Sequence, residues 1–196
     1  MNPPRIGTLP AGPRDAISDV GEIRVGHVTL DLGAVQTGVT VVVPHAGDPF
    51  AEKIPAAAAV LNGFGKSVGL IQVDELGVFE TPIALTNTFA VGTVMQAQIR
   101  AAMAAHPKLG REWATVNPLV FECNDGYLND IRALAVTEEH YRTALENAAA
   151  DFAQGGVGAG RGMSAFELKG GIGTASRRAG DYTVGALVLA NYGRLG

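Results

Sequence analysis

Residues 38–44, GVTVVVP, form a short run that is apolar and rich in β-branched residues. A strand with one wet face alternates apolar and polar side chains. An unbroken apolar run is instead the pattern of a strand covered on both faces. The fold must therefore place material on either side of this segment.

The flanking sequence supplies candidates. Residues 22–30 (EIRVGHVTL) are strand-like with imperfect periodicity, and residues 67–73 (SVGLIQV) and 118–122 (PLVFE) are predicted strands. Residues 91–106 carry Val91, Val94, Met95, Ile99 and Met103 on one helical face, with Asn87 or Thr88 placed to cap the helix. Residues 137–152 predict a second helix opened by Thr-Glu-Glu, and residues 163–168 a short strand. Residues 182–190 (YTVGALVLA) read as the most apolar buried strand of all. Residues 56–61 (AAAAVL) fit a helical turn or a buried strand equally well. Strands and helices are mixed without regular βαβ alternation, which predicts a layered α+β sandwich rather than a doubly wound parallel sheet.

The 196 residues are 47% hydrophobic and 17% charged, enough for one domain with a real core. The 26 glycines and 10 prolines are dispersed and imply tight turns rather than disorder. No repeat or linker divides residues 1–196, and residues 1–15, rich in Pro and Gly, read as an N-terminal arm or surface coil. The strand through Ala190 runs into NYGRLG and stops; a complete domain seldom ends one short turn after a central strand, so further polypeptide is expected.

Fifteen basic residues against nineteen acidic ones, scattered along the chain, give no clustered basic face for nucleic acid. No apolar run approaches membrane-spanning length, and the first residues lack the apolar stretch of a secretory signal. With a single cysteine, Cys123, no internal disulfide can form, and a reducing cytoplasm is the expected compartment.

Most chemical motifs can be set aside. Gly65-Lys66-Ser67 resembles the end of a phosphate loop, but the leading glycine it needs would fall at Val60. Gly156, Gly158 and Gly160 begin like a dinucleotide fingerprint, whose third glycine would fall at Arg161. His27, His45, His106 and His140 lack a second ligand at metal spacing, and no serine sits in a nucleophile elbow. Cys123 has no activating histidine beside it and reads as a small buried side chain at a strand end.

Three polar clusters remain. In residues 122–130 (ECNDGYLND), Glu122 can hold a substrate ammonium and Tyr127 can exchange a hydrogen bond beside it; the alternative is an Asn/Asp-rich turn satisfying its own backbone. The glycine-rich residues 170–177 (GGIGTASR) can approach a ligand closely, though such turns between strands are ordinarily structural. Asn191 at the end of the best strand can donate to a developing oxyanion, a role worth about 3 kcal/mol in known cases. Its alternative is an Asn-x-Gly turn.

Taken in order, DAISDVGEIRVGHVTL, TGVTVVVP, AVLNGFGKSVGLIQVDELGVFETPIALTNTFAVG, ECNDGYLNDI, GGVGAGRGM, FELKGGIGTASR and YTVGALVLANYG resemble the larger subunit of β-peptidyl aminopeptidases and DmpA-like L-aminopeptidase D-esterases. The resemblance covers almost all of residues 14–193. It implies a four-layer αββα sandwich completed by a second chain, and a precursor that cuts itself ahead of a Ser or Thr. That residue, at the new N-terminus of the smaller β subunit, becomes the nucleophile, with its own α-amine as general base. It further implies that Glu122 recognises the substrate amino group, that Tyr127 lies beside it and that Asn191 stabilises the oxyanion. No metal or cofactor is required, and several αβ pairs, commonly four, assemble together. The implied substrates are short peptides with β-amino acids, D-amino acid amides or esters, and small L-peptides. The rival expectations are a related acyl-transferring amidase and a non-catalytic binding or assembly subunit that kept the fold.

Overall fold

The computed structural model describes residues 6–193. Its strands are β1 (Arg24–Leu32), β2 (Val35–Val43), β3 (Ile54–Pro55), β4 (Val78–Phe79), β5 (Ile83–Asn87), β6 (Leu119–Cys123), β7 (Ser164–Ala165), β8 (Leu168–Lys169), β9 (Gly171–Ala179) and β10 (Tyr182–Ala190). Its α-helices are α1 (Leu70–Leu76), α2 (Val91–Ala105) and α3 (Glu138–Glu146). The chain is thus α+β, as its mixed periodicities predict.

Strands β1, β2, β5 and β6 form one sheet in that order; β1–β2 and β2–β5 are antiparallel, and β5–β6 is parallel. A parallel neighbour needs a crossover, and α2 provides it. The apolar run of residues 38–44 supplies the heart of β2, buried continuously from Thr37 to Val43. Val39, Val41 and Val43 join Ala84 and Val120 in packing under Val91, Val94 and Ala97 of α2 and Tyr141 and Ala144 of α3. Each such buried valine contributes about 2 kcal/mol of transfer free energy. Gly26 makes the approach of α3 possible, because a Cβ there would run into the Ala144 carbonyl.

The opposite face of the sheet is covered by a 3₁₀ turn, Gly158–Gly160, and by the β9–β10 hairpin, with Leu85, Ala159 and Ile172 in contact with Val157, Leu187 and Leu189. Gly158, at φ 52°, lies so close to Thr40 and His27 that no side chain fits there. The described residues therefore build helices, a four-stranded sheet and a two-stranded sheet in succession. Beyond the second sheet the outer face of β10 is bare: Val184 is 63% and Val188 54% exposed, alternating with half-buried Leu187 and Leu189. Residues 182–190 are a strand as expected, but covered on one face only by the described residues.

Other expectations need correction. Residues 67–73 are not a strand: Val68 makes a lone bridge to Val120, Gly69 turns the backbone left-handed at φ 92°, and α1 begins immediately after it. The second helix ends at Glu146 rather than 152, because the chain turns at Asn147 and Ala149 bridges to Val25 of β1. Residues 163–168 are not one strand but the start of the tight β7–β8 pair, turned through Phe166 and Glu167 at positive φ. The glycine-rich residues 170–177 lie mostly within the long strand β9. Residues 56–61, open between helix and strand, are neither, and from 57 onward they are exposed.

Of the N-terminal arm, residues 1–5 lie outside the described residues. Residues 10–15 lie along β9: Arg178 donates to the Pro10 carbonyl (2.8 Å), Gly12 to Ser176 Oγ (3.0 Å), and Asp15 pairs with Arg177 (2.6 Å). Among the described residues no helix is long and apolar enough to cross a membrane.

Candidate active site

Strands β5 and β6 run parallel, so the segments leaving both strands emerge at the same edge of the sheet. Glu122 pairs with Thr86 and Cys123 with Asn87, which sets Glu122 beside the start of the helical segment after β5. There Asn87, buried, caps that segment by accepting from the amides of Phe89 and Ala90, both at 3.0 Å. The next residue, Thr88, donates its hydroxyl to Glu122 Oε2. The other oxygen, Oε1, accepts from the Lys66 amide at 2.9 Å.

Glu122 opens into a cleft of about 620 Å³. Residues 57–67 form one wall, with Leu70, Thr88, residues 121–124 and Asn191 forming the rest. That wall is held locally: Asn62 Oδ1 accepts from the Phe64 amide (3.0 Å), and the Lys66 ammonium sits over the Phe64 ring and donates to the Phe64 carbonyl. Its apolar side chains are bare, Leu61 at 100% and Phe64 at 79% exposure.

Asn191 reaches the same cleft from the end of β10. The chain there is pinned to β7 by bonds from Phe166 N–H to the Tyr192 carbonyl (2.7 Å) and from Tyr192 N–H to the Ser164 carbonyl (3.1 Å). Asn191 Oδ1 accepts from the Ser164 amide at 3.2 Å, and its Nδ2 donates to the Asn124 carbonyl at 3.1 Å. Asn124 is itself in an Asx turn, Oδ1 accepting from the Gly126 amide at 2.9 Å. The next side chain, Asp125, is fully buried, with Asn129 Nδ2 donating to its Oδ1 at 3.0 Å. Burial raises the Asp125 pKa, against hydrogen bonding from Thr37, Asn129, its own backbone and Asn87.

Two of the three sequence-predicted residues, Glu122 and Asn191, thus line one cleft. Tyr127 does not: it is 71% exposed on the turn after Asp125 and is outside the cleft lining. Cys123 also borders the cleft, but burial first, then the charges of Glu122 and Asp125, push its thiol up to about 11, so it stays protonated and unreactive at neutral pH. Lys66, Thr88 and the Asn124 carbonyl were missed by sequence reasoning. Two contribute backbone groups that no residue type announces, and the position of Thr88 in the sequence points only to a helix cap.

The remaining motifs are occupied structurally. Thr174 accepts from the Ile17 amide and donates to the Ala186 carbonyl, both at 2.7 Å, and Ser176 Oγ donates to Asp19 (2.7 Å). The amides of Gly158 and Ala159 donate to Thr29 and Thr40 and are not available to a dinucleotide phosphate.

Solved structures share this architecture. A β-aminopeptidase from Burkholderia sp. superposes with a TM-score of 0.92 at 44% identity over 97% of this chain and 56% of its own. The L-aminopeptidase D-Ala-esterase/amidase of Ochrobactrum anthropi, described as a prototype of serine aminopeptidases and a variant of the Ntn-hydrolase fold, gives 0.87 at 34% identity over 96% and 56%. The β-peptidyl aminopeptidase BapA of Sphingosinicella xenopeptidilytica is 40% identical across 93% of this chain and 48% of its own length. The fold is therefore that of the Ntn-type serine aminopeptidases. Residues 15–196 match the model of peptidase family S58, and the chain belongs to that family. It spans about half the length of the curated relative it matches.

Proposed function

We propose that this chain is the larger portion of an aminopeptidase or amidase that releases N-terminal amino acids through an acyl-enzyme. The observation that carries the reading is the meeting of Glu122 and Asn191 in one cleft, an acceptor-only carboxylate and an amide with one N–H to spare. In this reading a partner portion supplies an N-terminal Ser or Thr exposed by self-cleavage. The half-length match to the relatives supports it, as does the bare outer face of β10, which a further sheet and helix layer would cover to complete an αββα sandwich. Assembly of several such pairs, commonly four, belongs to the same proposal, as does a cytoplasmic setting.

The chemistry rests on the two groups. The ammonium of a free N-terminal residue, whether a β-, D- or L-amino acid, docks on Glu122 and brings its carbonyl towards Asn191. The partner hydroxyl attacks that carbonyl carbon while the freed α-amine takes its proton. The tetrahedral oxyanion accepts from the spare Asn191 N–H. Collapse breaks the C–N bond, the α-ammonium returns the proton to the leaving amine, and water repeats the sequence to release the acid. Tyr127, on the turn that follows Asn124, is taken in this proposal to lie beside the substrate ammonium at Glu122 once the partner portion covers it.

The test uses the product of the complete gene. Intact-mass analysis and N-terminal sequencing should find a second polypeptide beginning with Ser or Thr in equal amount, and Glu122→Gln should raise KM for free-amine substrates. A single uncut chain without peptidase activity would instead support a binding or assembly role.

A further inference from the structure

The Thr88 hydroxyl takes no part in capping the helical segment that Thr88 opens. A threonine at the start of a helix ordinarily spends its hydroxyl on a backbone amide as a cap. Here Asn87 takes that work: its Oδ1 accepts from the Phe89 and Ala90 amides, and its Nδ2 is fixed by donating to Thr37 Oγ1 at 2.8 Å. The Thr88 hydroxyl is left over, and it points to Glu122 Oε2 from the cleft lining.

An ionised carboxylate only accepts, so Thr88 must be the donor in that bond. Its own oxygen then keeps lone pairs for another donor. Glu122 has one bond on each oxygen, from Thr88 and from the Lys66 amide, which fixes the plane of the carboxylate and leaves each oxygen one free acceptor position. Two free positions on Glu122 and one on Thr88 make three acceptors, the number of N–H groups on a primary ammonium.

We infer that Thr88 is a positioning and specificity-determining residue that fixes the Glu122 carboxylate and accepts the third N–H of the substrate ammonium, selecting primary amines over N-alkylated ones. The inference rests on the reading of Glu122 as the ammonium acceptor. Thr88→Val keeps the shape and removes both the donor and the acceptor, while Thr88→Ser keeps both.

The experiment compares the full-length, self-processed protein with its Thr88→Val, Thr88→Ser and Glu122→Gln variants on β-alanine p-nitroanilide and its N-methyl counterpart. The unaltered protein should favour the primary amine about tenfold or more in kcat/KM, in line with one hydrogen bond to a charged group. Thr88→Val should raise KM for the primary amine about tenfold and narrow the preference, with kcat little changed, and Thr88→Ser should restore both. If Glu122→Gln raises KM but Thr88→Val does not, the role of Thr88 is overturned and the Glu122 reading stands. If neither raises it, the Glu122 reading falls and takes this inference with it. Equal use of both substrates by the unaltered protein overturns the inference even if Thr88→Val fails to fold.

Discussion

Asn191 donates one amide hydrogen to the Asn124 carbonyl while its side-chain oxygen accepts from the Ser164 amide. The two partners have opposite polarity, so the amide cannot flip without setting oxygen against oxygen and N–H against N–H. Its second hydrogen is thereby aimed by the backbone of β7 and of the turn after β6.

Asn191→Asp replaces the donor with an acceptor and confronts the Asn124 carbonyl with a carboxylate. In the complete protein, both Asn191→Asp and Asn191→Ala should lower kcat by roughly 10²–10³-fold, the loss seen when an oxyanion donor is removed. A steady-state assay with unchanged kcat would return Asn191 to a purely structural turn.

Tyr127 gives a sharper contrast, since its phenol is solvated here and outside the cleft. If the partner portion closes over it beside Glu122, Tyr127→Phe should lower kcat/KM about tenfold, the worth of one hydrogen bond. Kinetics indistinguishable from the unaltered protein would remove it from the site.

Strand β2 and the first half of helix α2 were legible because burial is unbroken along 37–43 and Val91 and Val94 face the core, whereas Met103, expected on the same helical face, is 54% exposed near the helix end. Residues 67–73 were not, since the apolar run is divided by Gly69, whose left-handed backbone no periodicity records. The run 182–190 encodes burial on both faces, and a sequence does not say which segment does the covering. In the site, Glu122 and Asn191 stood out as polar residues at the ends of apolar strands. Thr88 could be recognised only once Asn87 was seen to hold the cap, and the amide of Lys66 only through long-range packing.

Asp125 predicts a pH effect with a definite sign. Its folded pKa is raised by burial, so the folded state holds the proton more tightly, and stability falls as pH rises above the ordinary value of 3.8 towards the folded one. Asp125→Asn removes this titration. The stability of the unaltered protein relative to the variant should fall as pH rises from 4 to 7 in thermal melts, and parallel profiles would contradict a perturbed Asp125.

Glu80 predicts the opposite. Burial opposes its ionisation, but the Lys53 ammonium (2.6 Å), the Asn117 amide (2.8 Å) and Gln72 outweigh it and hold the carboxyl below its ordinary 4.5. This stability is present above that value and lost as pH falls through the folded pKa. Glu80→Gln should cost roughly 1–2 kcal/mol at pH 7, a figure kept low because Lys53 is part-exposed. The cost should fade in acid when denaturant midpoints are compared.

Val184 and Val188 test the proposed completion of the sandwich. Val184→Lys with Val188→Lys puts two charges on the bare face of β10, which alone is solvated and should tolerate them. In the complete protein they should block close packing of the partner portion, read as loss of self-cleavage and of high-mass species in light scattering. Normal processing and mass would show that this face stays open.

The β9–β10 hairpin also bears on the order in which the molecule forms. Its nine pairs radiate from the turn at Gly180 and Asp181, and such hairpins close in about 1–10 μs. The β5–β6 pairing, by contrast, must bring Ile83 against Leu119 across the whole of α2. Two strands alone are marginal in water, so the hairpin should form and dissolve repeatedly until Leu85 of the slower sheet captures Ile172. Refolding speed should therefore depend on Leu85 and α2 far more than on the hairpin turn.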